Sequence, residues 1–141
     1  MAVVEGERRF AAPPERVFEV LTNPDVIASA MPAMRGHTVI DADRWEAKVK
    51  PPLPLAPSIR IRCEVRERRA PEHAAMHAHG GGADVLSTFD LAPDGDGTLM
   101  RWRTELHLTG LLERFAGHSL DAVAQRQAAR TLDAVERALD S

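Results

Sequence analysis

The stretch Ile59-Arg60-Ile61-Arg62-Cys63-Glu64-Val65-Arg66 alternates apolar and charged residues without a break. Period two is the repeat of a β-strand, whose successive side chains point to opposite faces. One face of this strand is apolar and the other charged. That is the pattern of an antiparallel sheet with one face on a core and the other in water. The alternation extends outward both ways. Upstream, Trp45, Ala47 and Val49 alternate with Arg44, Glu46 and Lys48. Downstream, Met76 and Ala78 alternate with His77 and His79, and Val85, Ser87, Phe89 and Leu91 alternate with Leu86, Thr88 and Asp90. A last strand sets Met100, Trp102, Thr104, Leu106 and Leu108 against Arg101, Arg103, Glu105 and His107. The connectors Asp41-Ala42-Asp43, Gly80-Gly81-Gly82 and Pro93-Asp94-Gly95-Asp96-Gly97 have turn chemistry. Met34 to Gly110 therefore reads as an antiparallel meander.

The two ends of the chain complete the plan. Val3 to Ala11 is a strand with Val4, Gly6, Arg8 and Phe10 in the inward phase and Glu5 and Glu7 in the outward one. If it pairs with the last strand, Glu5 and Glu7 can meet Arg101 and Arg103. Pro13 and Pro14 stop it. Glu15 to Leu21 is a short helix with Val17, Phe18 and Leu21 on one side, and Asn23 caps a second short helix that Pro32 ends. Leu111 to Asp140 contains no proline and places Leu112, Phe115, Leu120, Val123, Ala124, Ala128, Leu132, Val135 and Leu139 on one face. It reads as one amphipathic helix of roughly 45 Å. The segment Lys50 to Pro57, KPPLPLAP, is a stiff extended loop that could gate a cavity. The fold class is α+β. A seven-stranded curved antiparallel sheet wraps around a long C-terminal helix, with two short helices after the first strand, in a single domain spanning residues 1–141.

Composition limits the function. A chain of 141 residues, 44% hydrophobic and 28% charged, makes one domain with a real core. A formal charge of −3 argues against a general nucleic-acid binder. One cysteine rules out an internal disulfide and any Cys-pair zinc site. No stretch has the ~20 apolar residues of a membrane span, and Met1 to Phe10 lacks the apolar run of a signal peptide. A cytoplasmic protein is expected, with peripheral attachment to the inner face of a membrane as the variant.

A sheet wrapped on one helix leaves a gap, and the residues aimed at it are often small: Gly6, Ala47, Cys63, Ala78, Ser87, Ala124 and Ala128. An apolar internal cavity follows. Its expected lining is Arg8, Phe10, Trp45, Ala47, Ile61, Cys63, Met76, Ser87, Phe89, Trp102, Thr104, Leu120, Ala124 and Gln127, with Thr131 close by. Arg8 is the charged member. Burial would force it onto a carboxylate, a ligand oxygen or rim water, so it is a candidate for holding a polar head group. No catalytic constellation is evident, because the inward phases offer Ser87, Thr104, Cys63 and Arg8 but no general base. His73, His77 and His79 share the outward phase and read as a surface patch ahead of a metal site. Arg60, Arg62, Arg66 and Arg68 read as an outward stripe held by cross-strand pairs.

The opening V-E-G-E-x-x-F-A-A-P-P-E-R-V-F, Val4 to Phe18, resembles that of the carbon monoxide dehydrogenase G-component family. This family belongs to the START-like, helix-grip superfamily (SRPBCC, polyketide cyclase/lipid transport). Similar pieces continue through Leu21-Thr-Asn-Pro-Asp, Met31-Pro32, Asp43 to Val49, Leu91 to Thr98, Gly110-Leu-Leu and Leu120 to Ala124. The chain departs from the family at Arg8, at Lys50 to Pro57, at Ala129-Arg-Thr-Leu, and in ending at Ser141 without the tail that some members carry. The resemblance implies a non-enzymatic protein that needs no covalent cofactor. It would bind a hydrophobic small molecule, a quinone or lipid, as accessory or recruitment partner of a molybdenum hydroxylase. Two other readings compete: a small cyclase, dehydratase or hydrolase using the same cavity, and an adaptor with no ligand. A buried acid or base in the cavity would favour the enzyme. A void below about 300 Å³ would favour the adaptor.

Overall fold

A computed structural model describes residues 1–30, 36–50, 55, 57–110, 113–114 and 120–140. The element order is β1 (Ala2–Phe10), α1 (Pro14–Leu21), α2 (Pro24–Ser29), β2 (Gly36–Asp41), β3 (Arg44–Val49), β4 (Ile59–Arg69), β5 (His73–Gly80), β6 (Ala83–Asp94), β7 (Gly97–Leu108) and α3 (Leu120–Leu139). The strands form one antiparallel sheet in the order β1-β7-β6-β5-β4-β3-β2. Sequential strands are neighbours throughout, except that β1 closes onto β7. The expected α+β architecture is present. The expected helix end at Pro32, the strand start at Met34, most of the Lys50–Pro57 loop, and the helix start with Leu111, Leu112 and Phe115 lie outside the described residues.

Local chemistry sets the element ends. Pro14 opens α1, where a missing N–H costs nothing. The Asn23 side chain accepts the Asp25 N–H at 3.0 Å and caps α2. Gly81 and Gly82 turn β5 into β6 at φ of +59° and +90°, values that other residues rarely adopt.

The register bears out the predicted phases. Glu5 stands opposite Arg103 and Glu7 opposite Arg101, with ion pairs of 4.0 and 3.2 Å. One phase does not hold to its end. A bulge at Arg66 shifts the β4–β5 register between Val65 and Glu67. One extra residue sends every later side chain to the opposite face. Arg68 therefore leaves the outer stripe and pairs with Ala74, a core residue. It reaches Asp43 at 2.7 Å and the Thr22 hydroxyl at 3.1 Å, tying β4 to the end of α1. Glu67 takes the outward position and meets His73 instead.

The inner face of the sheet buries three apolar clusters. The largest joins Phe10, Phe89, Leu91 and Met100 of the sheet to Val17, Phe18 and Leu21 of α1 and Leu132 and Val135 of α3. A second packs β1 and the end of β7 against Ala124 and Ala128. A third holds Trp45, Ala47, Val49, Ile61 and Cys63 together with Ala28 of α2. Alanines at 124 and 128 let α3 approach the sheet closely. Its described length, 20 residues or roughly 30 Å, crosses the sheet.

Candidate functional site: a cavity between sheet and helix

The three clusters do not merge. Between them lies a cavity of about 200 Å³ whose wall is mostly apolar. Phe89 and Leu132 come from the first cluster, Leu106, Leu108 and Ala128 from the second, and Trp45, Val49, Ile61 and Cys63 from the third. Small residues facing a helix with alanines at its contact points cannot fill the space, as the sequence implied.

Of the fourteen residues expected to line the cavity, nine do: Trp45, Ile61, Cys63, Met76, Ser87, Phe89, Trp102, Thr104 and Gln127. Thr131 lines it too. The other five stand elsewhere, each for a physical reason. Arg8 is in the inward phase of β1, but β1 is an edge strand, and its guanidinium reaches α3. There it donates to Asp133 at 2.9 Å and Glu136 at 2.6 Å. Carboxylates satisfy this cation, so it holds no place in the cavity. Phe10 is buried in the core beside α1 and Val135. Ala47 is too short to project past Trp45 and Val49, which flank it on the same face. Ala124 packs onto the β1–β7 edge, and Leu120 packs against the same cluster. The sequence reading left out several apolar wall residues, among them Ile27, Val49, Ile59, Val85, Leu106 and Leu132. Their signal was in the alternation and the helical stripe, but apolarity alone does not separate core from cavity wall.

The polar groups of the cavity are few and uncharged. Ser87 and Thr104 stand opposite each other on β6 and β7, with their hydroxyl oxygens 3.1 Å apart. The Gln127 amide donates to the Ala30 carbonyl at 3.4 Å, and the Thr131 hydroxyl donates to the Gln127 carbonyl at 3.1 Å. Burial pushes the Cys63 thiol up to about 12, so it stays protonated. Such a thiol is inert. The Trp102 indole lies against Gly6, where an added Cβ would sit 2.9 Å from the ring. Its N–H is buried and finds no acceptor among the described residues.

Glu64 and His77 border the cavity from strand positions that alternate with Cys63, Val65, Met76 and Ala78. Their side chains are engaged on the outer face. Glu64 accepts from Arg66 at 2.9 Å, a hydrogen bond that holds its carboxyl below the usual range. His77 meets Asp84 at 2.9 Å and stacks on His79 with ring centroids 4.8 Å apart. His77 is buried rather than solvent-facing, because the neighbouring side chains close over it. His73 is bracketed by Asp90 at 2.7 Å and Glu67 at 2.8 Å. The carboxylates absent from the histidine strand arrive from its neighbours. Among the described residues, no group of three His, Cys, Asp or Glu is arranged to hold a metal ion. The outer arginines are paired too, Arg62 with Glu46 and Arg66 with Glu64. No helix among the described residues is long and apolar enough to cross a membrane.

The whole architecture recurs in solved structures. A conserved protein from Geobacillus kaustophilus is similar with a TM-score of 0.82 at 15% identity, over 99% of this chain and 95% of that one. A START superfamily protein from Mycobacterium smegmatis gives 0.76 at 14% identity, over 98% and 97%. A Thermus thermophilus protein gives 0.70 at 17% identity, over 96% and 95%. At such identities the likeness establishes the START-like helix-grip fold and nothing finer. No curated protein matches the chain in sequence. A family model described as polyketide cyclase / dehydrase and lipid transport matches residues 1–140. With a cavity held between curved sheet and long helix, and that match over nearly its whole length, the chain belongs to the polyketide cyclase / dehydrase and lipid transport family.

Proposed function

We propose that this protein binds a compact apolar molecule in the cavity between the sheet and α3. The observation that carries the reading is the cavity itself: an apolar space that the core of this 141-residue chain leaves unfilled, walled by Trp45, Phe89 and Trp102. Empty volume forfeits dispersion contacts, so a fold that keeps it gains when a ligand fills it. The family description, which includes lipid transport, supports the same reading.

The volume narrows the occupant. About 200 Å³ falls below the ~300 Å³ at which drug-sized pockets begin, the range expected to favour an adaptor, so a ligand-binding role is confined to a small occupant. That favours a single ring over a long-chain lipid. An apolar void of about 150 Å³ is enough for benzene. The resemblance to the G component of carbon monoxide dehydrogenase supports a finer version, in which a quinone ring or lipid portion is held for a molybdenum hydroxylase at a membrane surface. Only the ring would fit inside, with any tail leaving through the mouth. The role is binding rather than catalysis. Support for that comes from the neutral inward hydroxyls, the protonated Cys63, and the engagement of the two titratable residues that border the cavity, Glu64 with Arg66 and His77 with Asp84.

Native mass spectrometry of the protein purified from its own host, with solvent extraction of bound material, tests the reading. A co-purifying ring compound or lipid portion supports it and identifies the ligand. A protein that arrives empty and also fails to take up added quinones or small aromatics shifts the weight to an adaptor.

A further inference from the structure

We infer that the cavity selects a neutral ring compound, one oxygen of which is recognised by the Ser87–Thr104 hydroxyl pair. The inference rests on the ligand-binding reading above and adds the chemical class of the ligand. The pair sits on the inner face of two adjacent central strands, in an otherwise apolar wall. Each hydroxyl carries one proton, and their mutual hydrogen bond uses one of the two. The other remains to donate, while lone pairs remain to accept. Thr104 is buried, but Ser87 keeps partial exposure although it lies mid-sheet on the inner face. The cavity is what that exposure opens onto. A carbonyl, ether or hydroxyl oxygen placed there completes the pair.

Charge excludes the ionic alternatives. The inward-phase cations are held by carboxylates, Arg8 by Asp133 and Glu136 and Arg68 by Asp43. Glu64 and His77 are committed to Arg66 and Asp84 on the outer face. A carboxylate or phosphate inside would meet no free cation among the described residues, and an unpaired buried charge is strongly disfavoured. Size excludes a larger neutral lipid held wholly inside, since about 200 Å³ accommodates one substituted ring.

Three compounds of nearly equal shape separate these terms: acetophenone with a carbonyl, α-methylstyrene with a methylene in its place, and benzoate with a carboxylate. Their affinities are measured by NMR titration at pH 7 on the full chain and on the Ser87→Ala/Thr104→Val double variant. The expected result is that the double variant binds acetophenone about three- to tenfold more weakly, the value of one hydrogen bond. It should bind α-methylstyrene as well as before or better. Benzoate should bind the unaltered protein more weakly than acetophenone. Ser87→Ala alone removes the hydroxyl that opens onto the cavity and decides the matter if the double variant does not fold. Equal changes for the two neutral compounds, or benzoate binding as well as acetophenone, overturn the inference while leaving the cavity reading intact. Failure of both neutral compounds to bind overturns the cavity reading, and this inference with it.

Discussion

The two faces of one sheet, built from alternate residues of the same strands, are held by opposite kinds of interaction. The convex face is a lattice of ion pairs and hydrogen bonds: Glu7–Arg101, Glu46–Arg62 and Glu64–Arg66 as ion pairs, and His73 hydrogen-bonded between Glu67 and Asp90. Its partners are near neighbours, on the same strand or the next one, and its charges stay in or near water. Apart from Arg8 and Arg68, each held by carboxylates, the concave face carries apolar and neutral groups, and its partners lie on α1, α2 and α3. The difference teaches where change is tolerated. A solvated ion pair contributes little because water replaces either partner. A buried apolar side chain has no such substitute.

Adjacent residues give the sharpest way to break this contrast. Met100 is fully buried, and Arg101 beside it points outward to Glu7. Met100→Ala should destabilise the fold by about 2–5 kcal/mol, and Arg101→Ala by about 0–1 kcal/mol, in urea unfolding followed by circular dichroism. Comparable losses for both would mean that the two faces share the load. A smaller effect is expected at Gly6, where the Trp102 ring occupies the space of a missing Cβ. Gly6→Ala should push the indole toward the cavity and cost about 1–3 kcal/mol through overpacking. It should also weaken acetophenone and α-methylstyrene alike. Unchanged binding would show that the ring moves elsewhere.

The smallest effect belongs to the convex face and depends on pH. Hydrogen bonds from Arg66 to Glu64 and from Arg44 to Asp41 hold both carboxyls below their ordinary range in the folded state. A depressed folded value means stability that is present above the unfolded value and lost as pH falls through the folded one. Glu64→Gln removes that contribution. It should therefore cost a little stability near pH 7 and none at a pH where the group is already protonated in both the folded and the unfolded state, flattening the acid side of the stability curve. A variant that loses as much stability at low pH as at pH 7 would contradict this assignment.

Much of the contrast was legible in the residues. Ile59 to Val65 announced a two-faced strand, and the Glu5 and Glu7 partners followed once β1 was placed beside β7. Arg68 was not legible, because the bulge at Arg66 arises from pairing with β5 and leaves no mark in the local pattern. Arg8 shows a different gap. Its phase was read correctly, but an arginine on an edge strand is long enough to reach past the cavity to the helix that covers that face. Its anchors, Asp133 and Glu136, lie 125 and 128 residues away in sequence. Phe10, Ala47, Leu120 and Ala124 share the inward side with the cavity wall, and only packing depth separates them from it.

The sequence alone determined the strand and helix order, the inward set and the near-absence of charge in it, because period two and period 3.6 are properties of the backbone that any contiguous stretch displays. The tertiary structure decided the size of the void, the meeting of Ser87 with Thr104 across two strands, and the removal of Arg8 to the helix. Volume and cross-strand distance depend on how separate elements approach one another, and no local pattern contains that approach.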